Sequence, residues 1–284
     1  MDFGASMFMT DYSIGAVELA QALEARGFES MWNPEHSHIP LSRKSPFPGG
    51  GDVPKMYYDA MDPFITLSAA AAATKTLKLG TGVCLVIQRD TIQTAKLVAS
   101  IDQISGGRFL FGIGGGWNQD EMEDHGTVFA TRFKLMREQI GAMKQIWTES
   151  KPEYHGEIVD FGPMMTWPKP VQKPHPPVIL GGAFPHAARR AVRYGNGWVP
   201  IAGRGPYGKI EDFLPPFKQM LSEAGRSLAD VPITMFGVPQ DIDLIKRYQD
   251  LGVARVVAAV PPEGADKTLP LLDRWAELIA KVNG

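Results

Sequence analysis

Eight short apolar runs, each closed by a glycine, a proline or a polar residue, are spaced along the whole chain. Most are followed by a segment with helical periodicity, and this alternation is typical of parallel βα units. The runs cover residues 3–8, 28–33, 77–83, 108–112, 178–182, 197–201, 233–238 and 254–260. They predict one α/β domain over residues 1–284, a (β/α)8 TIM barrel whose reacting groups lie at the C-terminal rim.

Composition narrows the possible partners and the expected location of the protein. The chain has 284 residues, 44% of them hydrophobic, and a net charge of −2, which predicts no nucleic-acid or membrane partner. No apolar segment approaches the length of a membrane span, and the N-terminus shows no targeting signal. The single cysteine, Cys84, excludes an intramolecular disulfide and fits a reducing compartment. We therefore expect a cytoplasmic protein.

Two connecting segments, residues 36–61 and 150–177, are rich in proline and are longer than simple connections. Long connections of this kind are usually lids or binding loops. The first follows the second predicted strand, so we expect it to be an insertion that arches over the C-terminal rim.

The first candidate site is Gly181-Gly182-Ala183, which closes the fifth predicted strand. Glycines allow close approach of a ligand to the backbone, and the helix that follows directs free N–H groups towards it. This arrangement favours an anion, most simply a phosphate, and Arg189 and Arg190 in the next helix add positive charge. The alternative is a tight turn that has no ligand.

The second candidate is the glycine-rich end of the fourth strand, residues 112–117. Counted from Gly112 as the first position, the sixth is Trp117 instead of glycine, and no acidic residue follows in a next strand about 20 residues later, so this is not a dinucleotide fingerprint. The glycines instead predict a bare surface for a flat ring. Asn118 and Glu121 then fit a helix N-terminal capping box, which is their simplest interpretation.

The third candidate is His36, which lies with Glu35 and His38 after the second strand. Histidine exchanges a proton readily near neutral pH, so His36 is a candidate general acid or base, or a contact to a bound ring. A purely structural hydrogen bond is the alternative. A zinc site needs a third ligand at a recognisable spacing, and none is visible, so we expect no metal.

The fourth candidate is the stretch 79–84, where Gly80 and Gly82 interrupt a strand. Glycines in a strand mark a bulge or a close approach of the backbone to a ligand. A weakened strand at a barrel corner is the alternative. Cys84 has no basic neighbour in the sequence and is interpreted as a small packed apolar residue.

Missing motifs exclude several reaction classes. The chain has no G-x-x-x-x-G-K-[ST], no H-E-x-x-H, no G-x-S-x-G and no cysteine cluster. Nucleotide hydrolysis, zinc proteolysis and serine esterase chemistry therefore lack their usual signatures.

Four blocks of the sequence, residues 28–36, 77–83, 105–117 and 181–198, together resemble the luciferase-like monooxygenase superfamily. The stretches 38–41 and 86–90 are more similar to its branch that depends on the deazaflavin coenzyme F420. The resemblance covers nearly the whole chain in order.

The resemblance implies roles for individual residues. Gly181-Gly182 matches the phosphate loop of the family, and Gly82–Val83 matches a non-proline cis peptide that lies against the flavin ring. His36 matches a histidine beside the reactive centre of that ring. Trp117 replaces a glutamate of the sugar-phosphate dehydrogenase members, which removes a familiar acid and argues against a sugar-phosphate substrate.

We therefore expect an oxidoreductase that transfers hydride between F420 and a small organic substrate, with His36 as the catalytic residue. The residues expected to bind the cofactor are Gly82, Val83, Trp117, Gly181, Gly182 and Ala183. Two alternatives are a monooxygenase that uses reduced FMN and O2, as alkanesulfonate monooxygenase does, and a non-catalytic cofactor-binding barrel. The resemblance also implies a homodimer.

Overall fold

The computed structural model describes residues 1–201 and 208–284. Within these ranges the strands are β1 (Asp2–Ser6), β2 (Ser30–Asn33), β3 (Lys78–Thr81), β4 (Phe109–Ile113), β5 (Tyr154–His155), β6 (Asp160–Phe161), β7 (Val178–Gly182), β8 (Gly197–Pro200), β9 (Thr234–Phe236) and β10 (Arg255–Ala259). All eight predicted strands are present, and each lies within two or three residues of its expected bounds. Only β5 and β6 have no counterpart among the predicted runs.

The helices lie between the strands as the alternation predicts. They are α1 (Ala16–Ala25), α2 (Pro63–Ala73), α3 (Thr91–Ser105), α4 (Gln119–Asp124), α5 (Arg132–Thr148), α6 (His186–Tyr194), α7 (Ile210–Glu223), α8 (Ile242–Leu251) and α9 (Ala265–Asn283). Local signals set several of these bounds. The Asp62 side chain accepts a hydrogen bond from the Phe64 N–H at 2.8 Å at the start of α2, and Gly106, at φ 63°, ends α3 in the left-handed region.

The strands form one parallel ring. Their hydrogen-bonded order is β8-β7-β4-β3-β2-β1-β10-β9, with every pairing parallel. The two edges of this order meet through a parallel bridge between Trp198 in β8 and Ile233, which directly precedes β9. The Trp198 N–H donates to the Pro232 carbonyl at 3.0 Å. The predicted (β/α)8 barrel is confirmed.

Apolar side chains fill both sides of the strand ring. One cluster inside the ring consists of Trp32, Leu110, Ile179, Val199 and Val257, with Phe236 packed against it. A larger cluster joins the outer side of the strands to the helices. Strands that are buried on both faces are the rule in parallel barrels, and this accounts for the nearly continuous apolar runs in the sequence.

The two long segments contact different parts of the barrel. The segment 36–61 reaches from the end of β2 to the start of α4, where the Lys44 N–H donates to Asp120 at 2.9 Å and Ser45 Oγ accepts from the Gln119 N–H at 3.2 Å. It therefore covers the C-terminal rim, as expected.

The segment 150–177 differs from the expectation of a lid or binding loop. It contains the antiparallel pair of β5 and β6, whose connecting turn is held where Glu138 of α5 accepts from the Ile158 N–H at 2.8 Å. Further on, Gln172 donates to the carbonyl of Phe109, the first residue of β4, at 2.8 Å. The end of this segment therefore lies at the amino end of the barrel, whereas Glu157, between β5 and β6, pairs with Lys134 in the first turn of α5.

In the described part of the chain, none of the helices combines the length and apolarity that crossing a bilayer would need.

Candidate active site at the rim of the barrel

The structure brings the site residues expected from the sequence to the ends of four adjacent strands. The strands β2, β3, β4 and β7 are neighbours in the ring and run in parallel, so their carboxyl ends share one rim. The candidate residues all lie in or shortly after these ends: His36 after β2, Gly82 and Val83 after β3, Trp117 after β4, and Gly181, Gly182 and Ala183 at the end of β7.

The backbone bulges where β3 ends. The peptide bond between Gly82 and Val83 is cis, as the resemblance implied. Pairing with β4 resumes one residue later, because the Cys84 N–H donates to the Gly112 carbonyl at 2.7 Å and the Gly114 N–H donates to the Cys84 carbonyl at 3.0 Å. Gly80 and Gly82 were interpreted either as a bulge or as a weakened strand at a barrel corner, and the structure shows a bulge. Cys84 is fully buried, as expected, and burial raises the pKa of its thiol.

Val83 lies between the glycines that end β4 and β7. A Cβ atom on Gly114 would be 2.6 Å from Val83 Cγ2, and a Cβ atom on Gly181 would be 3.0 Å from Val83 Cγ1. These glycines therefore leave room for the valine side chain that the bulge presents at the rim. The structure thus brings Val83 and Gly181 together, although 98 positions separate them in the sequence.

His36 forms a buried hydrogen bond with a residue that the sequence analysis assigned to another role. Its Nδ1 lies 2.8 Å from Glu121 Oε2, and the Ser37 N–H donates to Glu121 Oε1 at 3.3 Å. His36 is 9% exposed and Glu121 is 0% exposed. Because a carboxylate can only accept, the proton of this hydrogen bond belongs to Nδ1. Among the described residues, none forms a hydrogen bond with His36 Nε2, so this nitrogen is the one available for chemistry.

Helix α4 holds Glu121 in place. Asn118 caps the helix by accepting from the Glu121 N–H at 3.4 Å, which confirms one half of the predicted capping box. The other half is wrong, because the Glu121 side chain crosses to His36 and Ser37 instead of returning to the Asn118 N–H. Glu121 also places a carboxylate next to His36, four positions after Trp117.

Aromatic side chains surround the His36 ring. The ring centroids of Tyr57 and Trp117 lie 5.2 Å and 6.0 Å from that of His36. Phe47 links the two, at 5.2 Å from Tyr57 and 5.5 Å from Trp117. Phe47 and Tyr57 come from the segment 36–61, so this segment forms a wall of the site. Nothing in the sequence distinguished Phe47 and Tyr57 from the other aromatic residues of this segment.

Glu35, the neighbour of His36, anchors the rim. Its Oε2 accepts from the Leu85 N–H at 2.7 Å and its Oε1 accepts from Arg89 Nε at 2.5 Å. Arg89 also pairs with Asp62. Burial alone would lower the pKa of Arg89, but the two carboxylates raise it above its ordinary value. Glu35 therefore fixes the segment after β3 to the end of β2.

The end of β7 leads directly into α6. Gly182, at φ 138°, accepts from Trp198 Nε1 through its carbonyl at 3.1 Å. The Ala183 carbonyl accepts from the Ala187 N–H at 3.0 Å in the first turn of the helix. Gly181 and Gly182 are the last residues of β7, and a turn at residues 184–185 leads into α6. Gly181–Ala183 therefore lie beside a helix N-terminus, where the helix dipole favours an anion.

His38 takes no part in a metal site with His36. Its Nε2 contacts Asp124 at 3.0 Å, whereas His36 faces Glu121. Among the residues that the structure describes, no group of three or more histidine, cysteine, aspartate or glutamate side chains is arranged to hold a metal ion.

Comparison with known proteins gives one family and two cofactor classes. A family model described as luciferase-like monooxygenase matches residues 12–240. A protein of Mycobacterium tuberculosis whose function is uncharacterized is 34% identical over 296 residues, which cover 99% of this chain and 99% of the relative.

Two further relatives carry functional names. A 5,10-methylenetetrahydromethanopterin reductase of Methanolobus tindarius is 26% identical over 267 residues, which are 92% of this chain and 73% of the relative. An FMNH2-dependent dimethylsulfone monooxygenase of Pseudomonas putida is 28% identical over 206 residues, which are 71% of this chain and 55% of the relative.

Solved structures show the same fold. The monooxygenase RslO1 from Streptomyces bottropensis has a TM-score of 0.82 at 19% identity, with all of both chains covered. The coenzyme F420-dependent tetrahydromethanopterin reductase of Methanopyrus kandleri has a TM-score of 0.73 at 19% identity, covering 99% of this chain and 98% of the other. An F420-dependent secondary alcohol dehydrogenase, in complex with an F420–acetone adduct, has a TM-score of 0.75 at 16% identity with the same coverage.

Proposed function

Because the chain belongs to the luciferase-like monooxygenase family, we propose that it is an oxidoreductase that transfers hydride between coenzyme F420 and a small organic substrate. The family includes relatives named for F420-dependent reduction and for FMN-dependent oxygenation. The observation that carries the proposal is the buried pair of His36 and Glu121 at the rim, which provides a proton donor and acceptor beside an apolar wall.

The residues at the rim fit a flat ring that carries a phosphorylated tail. Val83 and the glycines around it present a surface without large side chains, on which the ring would lie. Gly181, Gly182 and Ala183 would hold the phosphate, because they precede the N-terminus of α6. Trp117 would border the ring next to His36. When bound, F420 supplies the acceptor or donor of the hydride.

His36 would move the proton that accompanies the hydride. An alcohol that is oxidised loses a proton from its oxygen, and a carbonyl compound that is reduced gains one. His36 Nε2 is the nitrogen that can accept or donate this proton, since Nδ1 is held by Glu121. The carboxylate of Glu121 fixes the tautomer of the ring by accepting the hydrogen bond from Nδ1, as in other carboxylate–histidine pairs. We therefore expect an alcohol or its carbonyl counterpart as substrate.

Two observations favour F420 over FMN. The stretches 38–41 and 86–90 resemble the F420-dependent branch. The two F420-dependent neighbours match this chain over 98% of their own length, so they need no large extra segments. The FMNH2-dependent monooxygenase relative, in contrast, is matched over 55% of its length.

Titration of the purified protein with F420 and with FMN tests the cofactor, and turnover with a panel of alcohols and carbonyl compounds tests the reaction. We expect tighter binding of F420, and F420-dependent turnover that His36→Gln removes. Tighter binding of FMN would contradict the choice of cofactor. If His36→Gln left F420-dependent turnover unchanged, His36 would not be the catalytic residue. Cofactor binding without turnover of any compound, in the native protein and in His36→Gln alike, would favour the non-catalytic cofactor-binding barrel.

A monooxygenase that uses reduced FMN is the second candidate, because the structural likeness to RslO1 covers all of both chains. In that case the same rim would hold reduced FMN, and oxygen would be consumed in step with the substrate. Oxygen uptake that requires both reduced FMN and substrate would favour this function over hydride transfer.

We also propose that the enzyme is a homodimer and acts in the cytoplasm. The family resemblance supports the first statement, and the single buried cysteine fits the second. Light scattering of the purified protein tests the homodimer.

A further inference from the structure

Two arginines lie beside the glycine-rich end of β4 and contact the same aromatic ring. Arg132 is the first residue of α5, and Arg190 lies in α6. Their guanidinium carbons are 4.4 Å and 3.9 Å from the centroid of the Phe133 ring. A Cβ atom on Gly115 would be 2.4 Å from Phe133 Cε1, so this ring lies directly against the rim. The two positive charges are therefore close to the proposed cofactor site.

The charges of these arginines are not neutralised within the described chain. The Nε atoms of Arg132 and Arg190 are buried and have no hydrogen-bond partner. Burial lowers the pKa of both groups, and the charge of Arg190 lowers that of Arg132 further. In residues 1–201 and 208–284, no carboxylate forms an ion pair with either of them. Partly buried like charges without a counterion are unfavourable, so a bound anion would stabilise this arrangement.

The helix termini add to this positive field. The N-caps of α5 and α6, Thr131 and Pro185, make no side-chain capping hydrogen bond, and neither helix has an acidic residue in its first turn. The N-terminal end of a helix favours negative charge, yet α5 begins with Arg132. An anion between these two helices would satisfy both the termini and the arginines.

A cleft of about 370 Å³ between α5 and α6 continues this positive field. It is lined by Phe133, Lys134, Arg137, Arg189, Arg190, Arg193 and Tyr194. Lys134 is paired with Glu157, but the four arginines form no ion pair in the described chain. The Tyr194 hydroxyl is buried without a partner, and burial raises its pKa to about 12, so it remains a hydrogen-bond donor at neutral pH. The cleft therefore has more positive charge than a single phosphate group needs.

We propose that Arg132, Arg190 and the cleft that they border bind a polyanionic ligand tail that combines a phosphodiester with carboxylates. The identity of this tail as that of F420 rests on the proposed function. FMN ends in one phosphate, which Gly181–Ala183 would hold, whereas F420 continues beyond its phosphodiester into glutamate residues. The arginine cleft would thus select F420 over FMN.

The test compares F420 with its phosphate-free fragment, the deazariboflavin ring on its ribityl chain, in equilibrium titrations. We expect the native protein to bind F420 at least about tenfold more tightly than the fragment at low salt, and this advantage to shrink as salt is added. Arg132→Gln and Arg190→Gln should each weaken F420 binding about tenfold and leave fragment binding unchanged.

Two further variants control this experiment. Arg137→Gln removes an exposed charge of the cleft that cannot disturb the core, and we expect about threefold weaker F420 binding. Arg274→Gln removes an exposed arginine of α9, far along the chain from the cleft, and should leave both affinities unchanged.

Titration with pyrophosphate and with tetraglutamate separates this inference from the proposed function. One outcome is that neither F420 nor the fragment binds, but pyrophosphate and tetraglutamate do, and that this binding requires Arg132 and Arg190. The anion site would then be supported and the proposed F420 function contradicted. If F420 and the fragment bind equally well to the native protein and to both variants, the F420 function stands and the polyanion site is overturned.

Discussion

Charged side chains at the amino end of the barrel and the arginines of α5 and α6 near its carboxyl end differ in how they are paired. At the amino end, Arg255 of β10 donates from Nε and Nη2 to Glu29, at 2.7 Å and 2.6 Å, and Lys78 of β3 pairs with the same carboxylate at 2.8 Å. At the carboxyl end, Arg132 and Arg190 contact the same Phe133 ring, and among the described residues no carboxylate pairs with either of them. Arg89 at the same rim is paired with Glu35 and Asp62, so the contrast is confined to these two arginines, which we propose bind a ligand.

Arg108 repeats this contrast at the amino end of β4. Its guanidinium donates to the carbonyls of Leu77 at 2.6 Å and Ala71 at 2.7 Å, and it also bonds Thr74. Arg190, by comparison, has a buried Nε atom without any partner. A side chain of the same type can therefore stabilise the fold or prepare a binding site, and the supply of acceptors around it decides which.

The largest effect that would sharpen this comparison is expected for His36→Gln at the carboxyl end. Loss of a positioned proton donor and acceptor should lower kcat about 100-fold or more, with little change in cofactor affinity. Steady-state kinetics and cofactor titration measure the two quantities. The matched control at the amino end, Glu29→Gln, should keep kcat close to that of the native protein. Equal losses of kcat in both variants would contradict the assignment of His36 to catalysis and of Glu29 to stability.

Glu29→Gln should instead lower the stability of the fold. This change leaves Arg255 partly buried without its carboxylate, and removing one partner of such a pair costs about 3 kcal/mol. Urea unfolding should report this loss in the free energy of unfolding, whereas F420 affinity stays unchanged. A stability equal to that of the native protein would show that the pair at the amino end does not hold the barrel together.

The response to acid follows from the same pair. Burial alone would raise the pKa of Glu29, but the hydrogen bonds and charge of Arg255 and the Lys78 ammonium lower it from 4.5 to about 2. Because the pKa is lower in the folded state, the contribution to stability is present above pH 4.5 and is lost as the pH falls towards 2.

Between pH 6 and pH 3 this group should account for about 2 kcal/mol of lost stability. Urea unfolding as a function of pH measures it. Glu29→Gln should flatten the acid limb of the curve. An acid limb of equal slope in the variant would assign the loss to other carboxylates.

A smaller effect is expected for Gly181→Ala at the rim. The added Cβ would lie 3.0 Å from Val83 Cγ1, so the valine must shift by a few tenths of an ångström beside the proposed phosphate loop. We expect about tenfold weaker cofactor binding and a loss of stability of no more than about 1 kcal/mol. Gly162→Ala, where the new methyl group meets no atom within 4 Å, is the control and should change neither quantity. Unchanged affinity in Gly181→Ala would argue against a ligand at this turn.

The sequence was sufficient for those features that depend on neighbouring residues. The apolar runs predicted the strands, Asp62 and Gly106 marked helix ends, and the glycines near residue 82 indicated the bulge, because each is a local property of the backbone. The short strands β5 and β6 were missed, since two-residue strands within a proline-rich segment leave no apolar run.

The pairing of the candidate site could not be predicted in the same way. Glu121 has a satisfactory local role as a capping residue, and only the adjacency of β2, β3 and β4 brings its carboxylate to His36, 85 positions away. The sequence assigned Arg190, with Arg189, only to added charge near the glycine pair, and it gave Arg132 no role. What distinguishes Arg132 and Arg190 is that, among the described residues, their buried Nε atoms have no hydrogen-bond partner, which only the fold reveals.

A crystal structure of the protein with bound F420 would decide whether the rim of the barrel is the cofactor site. We expect the deazaflavin ring against Val83 at the carboxyl ends of the strands, beside His36 Nε2, and a tail that passes Gly181 and ends among Arg132 and Arg190. A ring bound away from this rim, or a tail that leaves the rim without contacting either arginine, would contradict the proposed site.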